Sequence, residues 1–336
     1  MESIERRALY NLLRMNWLTD PTMTVEPWQI EDYRLLPTPI LFERLLKFSI
    51  TLDKTSFLAY ADESDSPEDL TDLLTSDLEL KTDQEDQIYL LVFELWRRLL
   101  PEKPSLSILC NDLDYQIYLY DQGELPNTTD LPDALNNFIM VLKENIDEGI
   151  EAKEAFRLIS TYCAHDLESF IYDFISDQID EDNDSYVHDL LDDFSPFLSG
   201  NKWFELLRAR FLGHSNLKVA HKISSEIIEN NLDEKDIEFN IELMAFLAET
   251  AESHAFKNLI RETAPLIRTE EDFQDILHIC ADYCHRLDEE DEEKAIDAIL
   301  QKRTHIPLEK AFERTNDDLD DLFNIFEIQA GPKVKN

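Results

Sequence analysis

QEDQIYLLVFELWRRLL, residues 84–100, decides how this chain folds. Ile88, Leu91, Val92, Leu95, Trp96 and Leu99 recur at helical spacing, and Tyr89, Leu90 and Phe93 fill most of the opposite side. A helix that is apolar nearly all round sits at the centre of its domain. Pro101 and Pro104 end it. The run that follows, 105–121, holds enough Tyr and Ile for a strand. Its Leu106, Leu109, Cys110, Leu113, Ile117 and Tyr120 nevertheless share one helical face, so a helix is preferred.

Working outward, the whole chain reads as all-α. Its 336 residues include only five glycines, Gly123, Gly149, Gly200, Gly213 and Gly331. The usual share is about 7 %, and so few glycines leave little of the turn chemistry that many short strands require. Upstream, residues 2–15 form an amphipathic helix, followed by a segment braced by Pro21, Pro27, Pro37 and Pro39 that carries Trp28, and a short helix at 40–50. Ser66-Pro67-Glu68-Asp69 is a helix start, with Ser as N-cap, Pro in the first turn and acids on the positive end of the dipole. Downstream, QGELPNTTDLP at 122–132 is the clearest loop and the expected domain boundary. The division expected is a helical region at 1–122, an acidic helical array at 123–328 and a loose tail at 329–336. Helices follow closely in the array, the last of them expected at 308–328, and Thr269 with Asp272 forms a capping box. The arrangement is an irregular helical array, with an α-solenoid as one form open to it. Phe156-x-x-Ile159-x-x-x-Cys163-Ala164 echoes Phe273-x-x-Ile276-x-x-x-Cys280-Ala281, but no short period runs through the chain, and shared packing needs account for the echo.

Charge limits the partners. With 73 acidic against 31 basic side chains the net charge is −42, which repels nucleic acid phosphates and anionic membrane surfaces. Between Arg157 and Lys202 there is no Lys or Arg at all. Asp166, Asp173, Asp177, Asp180, Asp182, Asp184, Asp189, Asp192 and Asp193 fall there, interleaved with Phe170, Tyr172, Phe174, Tyr186, Phe194 and Phe197. Such a surface can hold a basic protein or peptide, with acids steering it in and aromatics such as Tyr186 anchoring it. Solvation and solubility are the plainer reading of the same run.

Chemistry-bearing motifs are few. No P-loop, dinucleotide-binding glycine motif, zincin helix or nucleophile elbow occurs, and no cofactor is expected. His165-Asp166 and His188-Asp189 resemble the histidine and His-Asp order of HD-type metal phosphohydrolases, with His165, His188, Asp189 and a later acid such as Asp275 as the metal set. Chance placement of 8 His among 37 Asp already yields about one such dipeptide, and Leu190-Leu191 stands where a small-residue context belongs. His278, Cys280, Cys284 and His285 carry ligand types for zinc, but His278 points away from the cysteines on a helix. Asp180-x-Asp182-x-Asp184 opens like an EF-hand loop, yet Ser185 and Leu191 replace its Gly and closing Glu. The four cysteines lie in apolar helical patterns, as in a reducing, cytoplasmic compartment, and MESIERRALYNLLRMNWL lacks the apolar core of a signal peptide. The expected function is therefore non-enzymatic: an adaptor or chaperone-like scaffold offering the acidic helical surface to a basic partner. The metal-dependent hydrolase is the alternative.

Overall fold

The structure, a computed structural model, describes residues 4–328 apart from 199, 214, 232–234 and 314–316. Among the described residues it holds eighteen α-helices and no strand, only an isolated bridge between Thr269 and Ala311. The all-α expectation holds. None of these helices is long and apolar enough to cross a membrane. The chain divides into two compact units, one of residues 1–171 with 193–197, the other of 172–192 with 198–336.

The first unit contains α1 (Arg6–Thr19), α2 (Pro27–Ile30), a 3-10 turn at Tyr33–Leu35, α3 (Thr38–Leu46), α4 (Lys54–Asp62), α5 (Pro67–Thr75), α6 (Thr82–Leu99), α7 (Leu106–Asp121), α8 (Asp130–Asp147) and α9 (Ala152–Ser160). Its core is built round α6, where every residue from Ile88 to Trp96 is buried. That run includes Glu94. Burial raises the pKa of this carboxyl, but the bonds from Arg97 and Arg98 outweigh it and hold the group below its ordinary value. Arg98 also donates to the carbonyls of Tyr33 (2.9 Å), Arg34 (3.0 Å) and Leu36 (2.6 Å). The proline-braced segment is thus clamped onto α6, and Trp28 packs tilted on Tyr10 with ring centroids 5.5 Å apart. Trp96 donates its indole N–H to Lys103 O at 2.9 Å, and Lys103 in turn donates to the carbonyls of Ala61 and Ser64.

The expected boundary at 122–132 lies inside this unit. Those residues join α7 to α8, which pack on each other, so a polar loop that reads as a linker is the connection of two neighbouring helices. The tail at 329–336 lies outside the described residues.

Two helices, α10 (Leu167–Asp180) and α11 (Asp184–Leu198), have residues in both units. The second unit continues with α12 (Lys202–Gly213), α13 (Leu217–Asn231), α14 (Ile237–Glu249), α15 (Ser253–Thr263), α16 (Glu270–Arg286), α17 (Glu290–Arg303) and α18 (Asp317–Ile325). Phe256 stacks on Tyr283 at 4.1 Å, with Phe326 against both. The Thr269–Asp272 capping box opens α16 as expected.

The helix expected over 308–328 is shortened to α18. Residues ahead of it instead form a strap across the start of α16: Glu270 N–H donates to Lys310 O at 2.8 Å, Glu271 N–H to Leu308 O at 3.0 Å, and Phe312 N–H to Arg268 O at 2.8 Å. The first-turn amides of a helix have no partner within the helix, and the strap's carbonyls supply one. The echo between 156–164 and 273–281 has no structural counterpart, because Cys163 lies beyond the end of α9 whereas Cys280 is inside α16.

Candidate functional site

The acidic stretch of the second unit is set out by α10, α11 and the three residues between them. Asp182 adopts a positive φ of 58°, and Asn183 closes the turn by donating from its side chain to Gln178 Oε1 at 3.0 Å and Glu181 Oε2 at 3.2 Å. Helical spacing then separates the residue types. Asp173, Asp177, Asp180, Asp182, Asp184, Asp189 and Asp192 are exposed, while Phe174, Ile175, Ile179, Val187, Leu190 and Leu191 are buried. Asp180 accepts from Arg210 at 2.9 Å while keeping a side-chain exposure of 65 %.

Asp166 acts as a cap, its Oδ1 accepting from the amides of Glu168 (3.1 Å) and Ser169 (3.3 Å) at the start of α10. Asp193 pairs with Lys143 at 2.6 Å within the first unit. Of the interleaved aromatics, Phe170, Phe174, Phe194 and Phe197 are buried, and Tyr172 and Tyr186 are half-buried. Residues spaced three and four apart share a face, so the same periodicity that exposes the acids turns the aromatics inward.

The residues of the alternative metal set fall in different units, His165 in the first and His188, Asp189 and Asp275 in the second. His188 is 62 % exposed, with Asp192 at 3.5 Å, Asp189 at 3.9 Å and the Phe211 ring beside it. His165 belongs to the first unit and binds Asp114 there, Nδ1 to Oδ1 at 2.9 Å. Asp275 lies on α16, its carboxyl pushed up by burial against the opposing effect of His278. Among the described residues no three His, Cys, Asp or Glu side chains gather as metal ligands would.

The H-x-C-x3-C-H segment splits by face. His278 and His285 are exposed, whereas Cys280 and Cys284 are fully buried in the core of the second unit. Burial pushes the Cys280 thiol well above its ordinary value, and burial together with Glu289, Glu292 and Glu293 pushes Cys284 up to about 12. In the first unit the hydrogen bond with Cys110, then burial, raises Cys163. Thiolate is the reactive form. In native protein at pH 7.5 we therefore expect none of the four cysteines to be modified by a thiol reagent over minutes, and all four to react in denaturant; rapid native labelling of Cys280 or Cys284 would contradict this packing.

A second constellation, in the first unit, escaped the sequence reading. Arg7, Asn11, Arg14, Met15 and Leu18 line one side of a crevice from α1, and Asn111, Asp114, Tyr115 and Tyr118 line the other from α7, with Glu31, Asp32, Arg34 and His165 completing it. Asp114 is 4 % exposed. It accepts from the amides of Ala164 (2.9 Å) and His165 (3.1 Å), from His165 Nδ1, and from Asn11 Nδ2 at 3.2 Å. Asn111 accepts at Oδ1 from Arg7 Nε (2.8 Å) and Asn11 Nδ2 (3.2 Å). Arg14 pairs with Asp32 at 3.1 Å; Arg34 pairs with Asp112 at 2.7 Å and lies over the Tyr115 ring at 4.1 Å. The signal was present as polar residues at i, i+4, i+7 on α1 and i, i+3, i+4, i+7 on α7. Such stripes ordinarily mark solvated faces. Comparison with known proteins gives no match to a family, to a curated protein or to a solved structure.

Proposed function

We propose that this chain is a non-enzymatic interaction protein, an adaptor or chaperone-like scaffold of the cytoplasm, whose acidic surface on α10 and α11 receives a basic protein or peptide. The observation that carries the reading is the exposure of seven aspartates between 173 and 192 in a stretch whose own sequence supplies no Lys or Arg. Like charges held this close repel one another, and a basic partner relieves that repulsion while its approach is steered by the field. With the aromatics turned inward, recognition is electrostatic rather than anchored in apolar pockets. Affinity then rests on charge and falls as salt shortens the screening length from about 10 Å at 0.1 M towards about 3 Å at 1 M.

Affinity capture from the native lysate at low and high salt, followed by titration of the captured basic partner, tests the reading. The expected result is a partner held at low salt, shed at high salt, and bound at least tenfold more weakly by the triple variant Asp180→Asn, Asp182→Asn, Asp184→Asn with its helical content intact. Binding indifferent to salt, or unchanged in the triple variant, would overturn it.

A further inference from the structure

A cavity of the first unit lies where three segments meet. The proline-braced stretch contributes Trp28 and Tyr33, the end of α3 contributes Arg44, Lys47 and Phe48, and α6 contributes Gln87 and Leu91. About 200 Å³ of it is open to the centres of water-sized spheres. An enclosed apolar cavity of about 150 Å³ already takes in benzene. Its walls are held from behind. Tyr33 and Leu91 are buried, the Tyr33 hydroxyl donates to Trp28 O at 3.1 Å, and the Trp28 ring packs on Tyr10. Lys47 and Phe48 stand in the turn that closes α3: Phe48 N–H donates to Leu45 O at 3.0 Å, Ser49 takes a positive φ of 66°, and Ile50 N–H returns to Leu45 O at 3.2 Å.

Charge decides what the cavity can take. Its lining holds two cationic side chains and no carboxylate, in a chain of net charge −42. Arg44 is answered within the protein, because it donates to both oxygens of Glu31; that bond raises its pKa, and Glu43 adds to the effect through space. Lys47 is different. It is exposed and forms no ion pair among the described residues, although Glu43 stands one turn earlier on the same helix. A lysine at a helix C-terminus suits the dipole, but its charge is left without a carboxylate. Aromatic walls alone attract cations, and the two basic groups reverse that preference. An inorganic anion leaves the aromatic walls uncovered, and a neutral hydrocarbon leaves Lys47 unanswered. One free positive charge matches a monoanion, which favours a carboxylate over a phosphate.

We propose that this cavity binds a small aromatic carboxylate, with its ring among Trp28, Phe48 and Leu91 and its charge on Lys47. Burial of the ring supplies the affinity. An exposed ion pair contributes little by itself, so Lys47 acts chiefly to select an anion over its neutral counterpart.

The test is isothermal titration of the full chain at fixed ionic strength with benzoate, with benzyl alcohol, which keeps the ring without the charge, and with acetate, which keeps the charge without the ring. Wild type is compared with Lys47→Glu, which reverses the charge at an exposed position, and with Gln87→Trp, which fills the cavity. The Gln87 side chain bonds only the carbonyl of Asp83 within α6, at 3.1 Å, so no bond between elements is lost. Circular dichroism checks that both variants are folded. Saturable one-to-one binding of benzoate is expected, with benzyl alcohol at least fivefold weaker and acetate undetected. Lys47→Glu should weaken benzoate at least fivefold and leave benzyl alcohol unchanged, whereas Gln87→Trp should weaken both. Absence of saturable benzoate binding, equal affinity for benzoate and benzyl alcohol, or benzoate binding undiminished in either variant overturns the proposal. Should Gln87→Trp fail to fold, Lys47→Glu still decides it.

Discussion

Replacing Arg303 with Met is expected to destabilise the second unit by about 3–5 kcal/mol. Arg303 and Glu270 are 5 % and 2 % exposed. The guanidinium donates from Nε to Glu270 Oε1 at 2.7 Å and from Nη1 to Asp318 Oδ2 at 2.7 Å, and it also reaches Glu270 Oε2. Phe273 and Phe312 lie against it at 4.9 and 5.5 Å. One side chain thus ties α16, α17, α18 and the 308–312 strap together. Met keeps much of the apolar stem but leaves Glu270 as a buried charge to which, among the described residues, only the Gln274 side chain donates. That uncompensated charge, rather than the lost attraction, sets the size of the effect. Arg303→Met combined with Glu270→Leu should therefore cost less than the sum of the two single changes, as coupled neighbours do. Urea unfolding gives the magnitudes, and hydrogen exchange should show lost protection in α16–α18 with α6 unaffected. A single variant within 1 kcal/mol of wild type would mean that the pair is solvated and that the strap does not close over it.

How much of this was legible in the sequence follows from the range of the forces involved. The apolar run of α6, the Ser66-Pro67 start and the Thr269–Asp272 box are local: spacing and capping are decided within four residues, and all three appear as read. The segment 308–312 was not legible as a strap, because its carbonyls answer amides of α16 some forty residues earlier. The acidic stretch was read correctly as charged and helical. The burial of its phenylalanines was not legible, because their spacing alone does not say which face a neighbour covers.

The crevice illustrates the same limit from the polar side. Asn11, Asn111 and Asp114 each belong to a stripe that is unremarkable alone, and only the packing of α1 on α7 makes them face each other across about 100 residues of sequence. Buried polar groups have few partners to choose from, so a residue that satisfies several of them at once holds an outsized share of the fold.

Asp114 is such a residue, and Asp114→Ala is expected to cost the first unit about 3–5 kcal/mol. Its carboxylate is the acceptor for two successive amides, those of Ala164 and His165, in the connection between α9 and α10, and for the side chains of His165 and Asn11. Each buried donor orphaned by its removal costs about 1–3 kcal/mol, and the backbone donors cannot turn elsewhere as side chains can. The comparison that isolates this cause is His165→Leu, which removes the ring but leaves both amides bonded to Asp114. It should cost less than half as much. Urea unfolding measures both variants, and hydrogen exchange should show the Ala164 and His165 amides opening in Asp114→Ala while they stay protected in His165→Leu. Equal losses in the two variants would place the stabilisation in the Asp114–His165 pair itself. Losses ordered as expected would show a carboxylate acting first as a backbone anchor, fixing from below the helix that carries Asn111 and from the side the helix that carries Arg7.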